Sequence, residues 1–532
     1  MNKLLQLTAT SLLVSLVSLS QPLLADISSY LVAEKPSSNF LILTGEGDST
    51  DSQASTSSKE VLRFTLQHRF NGGEPLAKET VEIPFDKLGD NPLIFLETLK
   101  QNFSKHLEKQ KKPVEVDTEL EFLLSAEVTQ VLGNIPAIFI KTKVEENGAG
   151  KSDLVFPAYR RELPGKSGKG LIDWKGLKAQ FTFTENFKNL TTALNIAGFM
   201  LEIPDEKVTA SLGETSIKAA FDANLMPTEV DFDLSLFKMG EMGSGKELGA
   251  LSLQNLTTLF NIQTTSKGLD LTQLKFNVGH FDFVEEGSQA NLDGLALALA
   301  AKEENGVINY SLQTQIDKLE PPTEITMGEK LAINWIGKID FTRLDADALL
   351  ALQTTARQLQ SKNDPMMFMA LLGQFMQVAP KLVAKSPGIA LTQLTVKTPK
   401  GNLEGTLDIS LDGKKVTAFE IPVIIQAVLA KAKFTISKPL LEYVLTGVIN
   451  NDMRQQIKRL SDKELSDADL AKLQEEAKKA SKQQISMFMM MKLLSDAGDN
   501  YQLVADFKDS KLILNGQSIP LPFGGYQKVP AK

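Results

Sequence analysis

Cysteine is absent from all 532 residues. That excludes disulfides, thiolate zinc sites, iron–sulfur clusters and a cysteine nucleophile. Histidine is nearly absent, with only His68, His106 and His280. No His-x-x-x-His pair is available to a metal, and a Ser-His-Asp mechanism has three imidazoles to choose from. An excess of positive charge is missing too: 57 Lys and Arg stand against 65 Asp and Glu, for a formal charge of -8. Nucleic acid is therefore not an expected partner, because phosphate binding draws on clustered Lys and Arg. What is present is an ordinary globular balance, 42% hydrophobic and 23% charged. The length corresponds to about two to four domain-sized units.

Residues 1–25 have the pattern of a secretory signal peptide. Lys3 is the only charge before Asp26, and Leu12, Leu13, Val14, Leu16, Val17 and Leu19 form a short apolar core. Ser11, Ser15 and Ser18 interrupt it, Pro22 ends it, and Ala25 offers a small residue for cleavage. The expected location is the periplasm of a bacterial envelope, with retention as an inner-membrane anchor as the alternative. A cysteine-free chain suits such an oxidising compartment. Residues 26–58 read as a flexible segment, since 45–58 (GEGDSTDSQASTSS) is small, polar and without apolar periodicity.

Beyond it, a period of two dominates. Leu62, Phe64, Leu66 and Phe70 alternate with polar residues, as do Leu177, Ala179, Phe181 and Phe183, then Val230, Phe232, Leu234 and Leu236, then Ile308, Tyr310, Leu312 and Ile316. Alternation with turn signals such as Asn305-Gly306 predicts antiparallel strands in meanders. Helical spacing is confined to 92–112 and to five stretches between 345 and 497: one opened by Asp345, then 365–382, 422–433, 437–460, and one capped by Ser461 and Glu464. The expected fold is α+β, mainly antiparallel β-meanders in an elongated array with a helical cluster in the C-terminal third. The expected domains are an α+β domain at 59–165, a β-meander domain at 166–343 and a helix-rich domain with a closing hairpin at 344–521, followed by a tail at 522–532.

Residues 240–247 (GEMGSGKE) have the spacing of a phosphate-binding loop, but Glu247 replaces the hydroxyl residue that would hold magnesium. A glycine-rich turn between strands is the expected reading. His68 shares a strand face with Leu66 and Phe70, and His106 rides a charged helix. His280 with Asp282 could form part of a triad, although a structural histidine is the commoner role. Asp467 and Asp469 open like a calcium loop, yet Lys472 stands where its glycine is required. No catalytic, cofactor-binding or metal residue emerges. The one candidate surface is methionine-rich: Met366, Met367, Phe368 and Met369, with Met487, Met489, Met490 and Met491. Flexible, polarizable methionines suit an apolar ligand or partner, and equally a helix face covering a sheet.

Residues 493–516 (LLSDAGDNYQLVADFKDSKLILNG) resemble the end of the YdgA-like family of Gram-negative envelope proteins, a domain of unknown function. Residues 170–177 (GLIDWKGL) resemble its entry into a central sheet, 310–319 with 328–350 its strand–strand–helix unit, and 432–441 (AKFTISKPLL) its late strand-to-helix passage. The likeness covers roughly 60–521 and supplies no catalytic residues. It implies a non-enzymatic envelope protein without a cofactor, structural or accessory, that binds other envelope proteins. The alternative is a carrier of lipid or another apolar ligand along a curved sheet, and an enzyme without a recognisable site ranks third. A continuous apolar trough would favour the carrier.

Overall fold

The computed structural model of the protein describes residues 61–519, apart from 91–93, 164, 166–168, 186–188, 206, 224–225, 244–245, 286–287, 324–325, 327–328, 361–366, 417–419 and 461–465. The expected signal at 1–25, the segment at 26–58 and the tail at 522–532 lie outside the described residues. The chain divides into two compact units, residues 1–161 with 176–188, and residues 162–175 with 189–532. The boundary expected at 343/344 falls inside the second unit.

The first unit carries an antiparallel sheet in the order Glu79–Pro84, Val61–Phe70, Val114–Phe122, Ile138–Val144, Gly150–Phe156, Leu177–Phe183. The helix Ile94–Leu107 covers one face, with Ile94, Phe95 and Leu99 against Phe64, Leu66, Ile83 and Leu120. This core is closed: Phe64 is 0% and Leu66 1% exposed. Their alternation with polar residues is what directs them inward together.

The second unit is built on one long meander. Its strands are Pro227–Gly243, Lys246–Thr264, Asp270–Glu285, Ser288–Glu304, Val307–Glu320, Ile333–Asp345, Gly388–Thr398, Gly401–Leu411, Val428–Ser437, Asn500–Lys508, Lys511–Leu514 and Gln517–Ile519. Each pairs antiparallel with the next. The first is long enough to take two shorter strands along its outer edge, Thr215–Phe221 beside its first half and Val208–Leu212 beside its second. Leu190–Ile196, Phe199–Ile203 and Gly170–Trp174 extend the sheet from these. Asn305 and Gly306 both have positive φ, 53° and 74°, the conformation a two-residue hairpin turn requires. The protein is thus α+β with an antiparallel meander.

Two helix pairs are inserted between neighbouring strands of this ladder. Ala346–Gln360 and Met367–Ala384 separate Ile333–Asp345 from Gly388–Thr398, and Lys438–Leu460 and Asp467–Met490 separate Val428–Ser437 from Asn500–Lys508. Asp345 caps the first as expected, its Oδ1 accepting the Ala348 N–H at 2.8 Å. Two expectations need correction. The helix expected over 422–433 ends at Ala427, and Val428–Ser437 is a strand held on both sides. There Ala430, Ala432, Phe434 and Ile436 alternate with Lys431, Lys433 and Thr435, and pairing overrides the helix propensity of Ala and Lys. The cap expected at Ser461 and Glu464 lies outside the described residues. The helix Asp467–Met490 is capped by Ser466, which exchanges hydrogen bonds with Asp469.

Candidate functional site

The two methionine runs belong to separate helix pairs, inserted at different points of the sheet. Met366 lies outside the described residues. Met367 and Phe368 begin the helix Met367–Ala384, where Met369 is exposed. Met487, Met489 and Met490 end the helix Asp467–Met490 and Met491 closes it, with Met487, Met490 and Met491 exposed.

A larger apolar surface comes from the strands themselves. One row of directly opposed residues crosses eleven of them: Val230, Phe260, Leu274, Leu299, Leu312, Ile339, Leu391, Leu407, Ala432, Ala505 and Leu514. Every member is apolar. At strand spacing the row extends about 48 Å. The row beside it adds Phe232, Phe276, Leu297, Leu394, Phe434 and Leu503. Phe260, Leu274 and Leu514 are buried, whereas Leu299 through Ala505 are only half-buried, in contrast with the closed core of the first unit. Ile389 and Ile409, paired with each other two positions further along, are 48% and 39% exposed. Two glycines in the neighbouring row accept aromatic rings. A Cβ at Gly405 would run into the Phe434 ring, and one at Gly337 would crowd Thr314 Oγ1 first and then the Trp335 indole, whose Nε1–H donates to that oxygen at 2.8 Å. The rings occupy the space over the glycines.

Towards one end of the long strands this pattern shifts. Pairing is interrupted at 235, 255, 279 and 294, where Asn255 and Gly294 have positive φ of 52° and 63°. Such irregularities re-aim side chains. The apolar positions change parity across this line, from Leu234, Leu256, Val278 and Leu295 to Phe237, Leu253, Phe281 and Leu292.

A depression of about 500 Å³ lies on the four strands Gly388–Thr398, Gly401–Leu411, Val428–Ser437 and Asn500–Lys508. It is lined by Leu391, Leu407, Ala432 and Ala505 of the row and by the residues on either side of each. Lys431 stands opposite Asp408 on one neighbour and Asp506 on the other, so the walls carry both signs.

The histidines are committed to structure. His280 is clamped by two carboxylates, its Nδ1 to Asp293 at 2.6 Å and its Nε2 to Asp282, which also accepts from Asn291. The Asp293 and Asp282 hydrogen bonds raise its pKa. With both nitrogens donating, no lone pair is left to take a serine proton, so this group does not form the triad that sequence left open. In the first unit His68 is buried, its Nδ1 2.8 Å from Thr118 Oγ1 and its Nε2 2.8 Å from Asn102 Oδ1. Asn102 passes its amide N–H to Glu79 at 2.9 Å, and Glu79 also pairs with His106 at 3.0 Å. Because Asn102 Oδ1 accepts, the network assigns the proton of His68 to Nε2, and Nδ1 accepts from Thr118. Sequence showed His280 beside Asp282 but not Asp293, 13 residues on, and it did not show the His68 cluster, whose members lie up to 50 residues apart. Of residues 240–247, Gly243 ends one strand and Lys246 begins the next, the two paired opposite each other, with a strand and not a helix on each side. No phosphate-binding helix N-terminus exists there. Asp469 of the calcium-like pattern serves the helix cap. Among the described residues no group of three or more His, Asp or Glu side chains is placed to hold a metal, and no helix is long and apolar enough to cross a membrane.

No curated protein and no solved structure matches the chain. The sequence pattern of a bacterial family of unknown function, DUF945, matches residues 56–522.

Proposed function

The chain belongs to this bacterial family of unknown function, and from that premise we propose that it is a non-enzymatic envelope protein that holds the apolar part of a lipid on the open face of its meander. The observation that carries the reading is the row from Leu299 to Ala505, apolar in every strand and closed in none. A protein that filled this face with its own side chains would bury it as the first unit buries Phe64 and Leu66. Large uncovered apolar patches on soluble proteins mark interaction surfaces. The absence of a free imidazole at His280 and His68 supports a binding role over catalysis. The signal-like residues 1–25 and the missing cysteine support export to the periplasm, where lipid would be met.

Native mass spectrometry of protein purified from its own envelope tests this. A co-purifying lipid is expected, and it should be lost from Ala432→Glu, which sets a charge in the middle of the row. Ala298→Glu, one position off the row beside Leu299 and on the opposite face, should retain it. Wild-type protein that carries no lipid and binds no fluorescent palmitate would sink the reading in favour of an accessory protein that binds other proteins.

A further inference from the structure

We propose that the helix Met367–Ala384 seats the protein on the surface of an anionic bilayer. Val378, Ala379 and Val383 of its second half are buried, and the helix packs chiefly on the helix Ala346–Gln360, and also on the strand Ile333–Asp345 and the turn Gly413–Lys415. Its first half leaves one apolar face open. Met369 is 59%, Leu372 44%, Phe375 43% and Met376 54% exposed, so four large apolar side chains stand in water within two turns. A helix whose apolar residues face water needs a partner.

Charge identifies which partner. The helix contains no acidic residue. Lys381 lies in its last turn, Lys385 just beyond it, and Lys414 and Lys415 in the turn packed against it. Across 367–385 and 412–416, four lysines stand against one aspartate, Asp412, whose carboxylate is occupied with the Lys414 N–H. Nearby Asp347 pairs with Lys267, and Asp509 with Lys415. On a chain of net charge -8, this is a local reversal of sign beside an apolar helix face. Methionine, leucine and phenylalanine beside lysine is the composition of a helix that lies in the interface of a membrane carrying negative headgroups. The helix is not long and apolar enough to cross. This surface is separate from the sheet face, and its test does not depend on lipid being held there.

The experiment is flotation of the full chain with vesicles of phosphatidylcholine and phosphatidylglycerol in equal parts, at low and high salt. Binding is expected at low salt, weakened by salt, and weak on phosphatidylcholine alone. Lys381→Ala and Lys414→Ala should each weaken it by about fivefold. Leu372→Asp with Phe375→Asp should weaken it by at least about tenfold per side chain. These residues are exposed, so melting temperatures should not move. Leu259→Asp, an equally exposed residue on a strand, is the control and should bind like wild type. Ala432→Glu should still float, which separates this proposal from the sheet-face reading. The proposal is overturned if wild type does not float, if the double variant floats as well as wild type, or if wild type is a dimer that the double variant splits, since a second copy would then cover the helix.

Discussion

The imidazoles of His68 and His106 lie 5.1 Å apart and hang from one carboxylate, Glu79, which reaches His106 directly and His68 through Asn102. His68 is the sealed member. Burial lowers its pKa most, the Asn102 hydrogen bond opposes that, and His106 lowers it further.

A group whose folded pKa is depressed is neutral in the fold while the unfolded chain already takes up a proton. The stability contributed by His68 is therefore complete above the ordinary histidine pKa of about 6.5. It is lost as pH falls from there through the lowered folded value. Denaturant unfolding of the first unit should show this loss, and His68→Gln should flatten it. Thr118→Val leaves Nδ1 without a donor and should cost about 1–3 kcal/mol. A pH-independent midpoint between neutral pH and the onset of carboxylate protonation would contradict the buried neutral tautomer.

His280 should behave with the opposite sign. Its folded pKa is raised by Asp293 and Asp282. Its contribution is complete below about 6.5 and is lost as pH rises through the raised value. The site is partly exposed, so salt should weaken the effect. NMR titration of the ring protons should place its midpoint above that of a free histidine. A midpoint at or below the free value would rule out the double clamp.

Gly405 should resist substitution. Gly405→Val drives a side chain into the Phe434 ring and should destabilise the second unit by about 1–3 kcal/mol through overpacking. Phe434→Ala in the same chain should recover part of that loss. If Gly405→Val melts like wild type, the ring does not rest there.

The closing segment joins the sheet: Asn500–Lys508 pairs along Val428–Ser437. Truncation before Asn500 should strip hydrogen-exchange protection from Val428–Ser437 and leave it intact at Asp270–Glu285. Lys508→Ala should be silent. Full protection of Val428–Ser437 in the truncated chain would show that the last strands are an appendage.

Much of this fold was legible because alternation is a local signal. The strands at 62–70, 177–183, 230–236 and 308–316 announce themselves by period two, and Asp345 announces a helix by its position before a periodic run. Residues 428–433 were expected to be helical because Ala and Lys favour a helix until two neighbouring strands claim their backbone. The open face was not legible as open. Leu299, Ile339 and Leu407 each sit in an ordinary alternation and Ala432 in a stretch expected to be helical, and only register shows that they form one row that stays half-buried. The methionine runs were visible as composition, but sequence spacing cannot say that they sit on separate helix pairs. Nor could it see that Leu372 and Phe375 complete the exposed face of one of them.

From Pro227 onward each long strand pairs with the strand before it and the strand after it, and the helix pairs are loops of that same ladder. Such an array is quasi-one-dimensional, like a stack of repeats: its free energy is a sum over neighbours, and it melts from an end. Opening at Gln517–Ile519 need not reach Asp270–Glu285. The sheet can therefore grow or shrink by whole hairpins without a new fold having to be found, and the length of its apolar row is a quantity that duplication of one strand pair can tune.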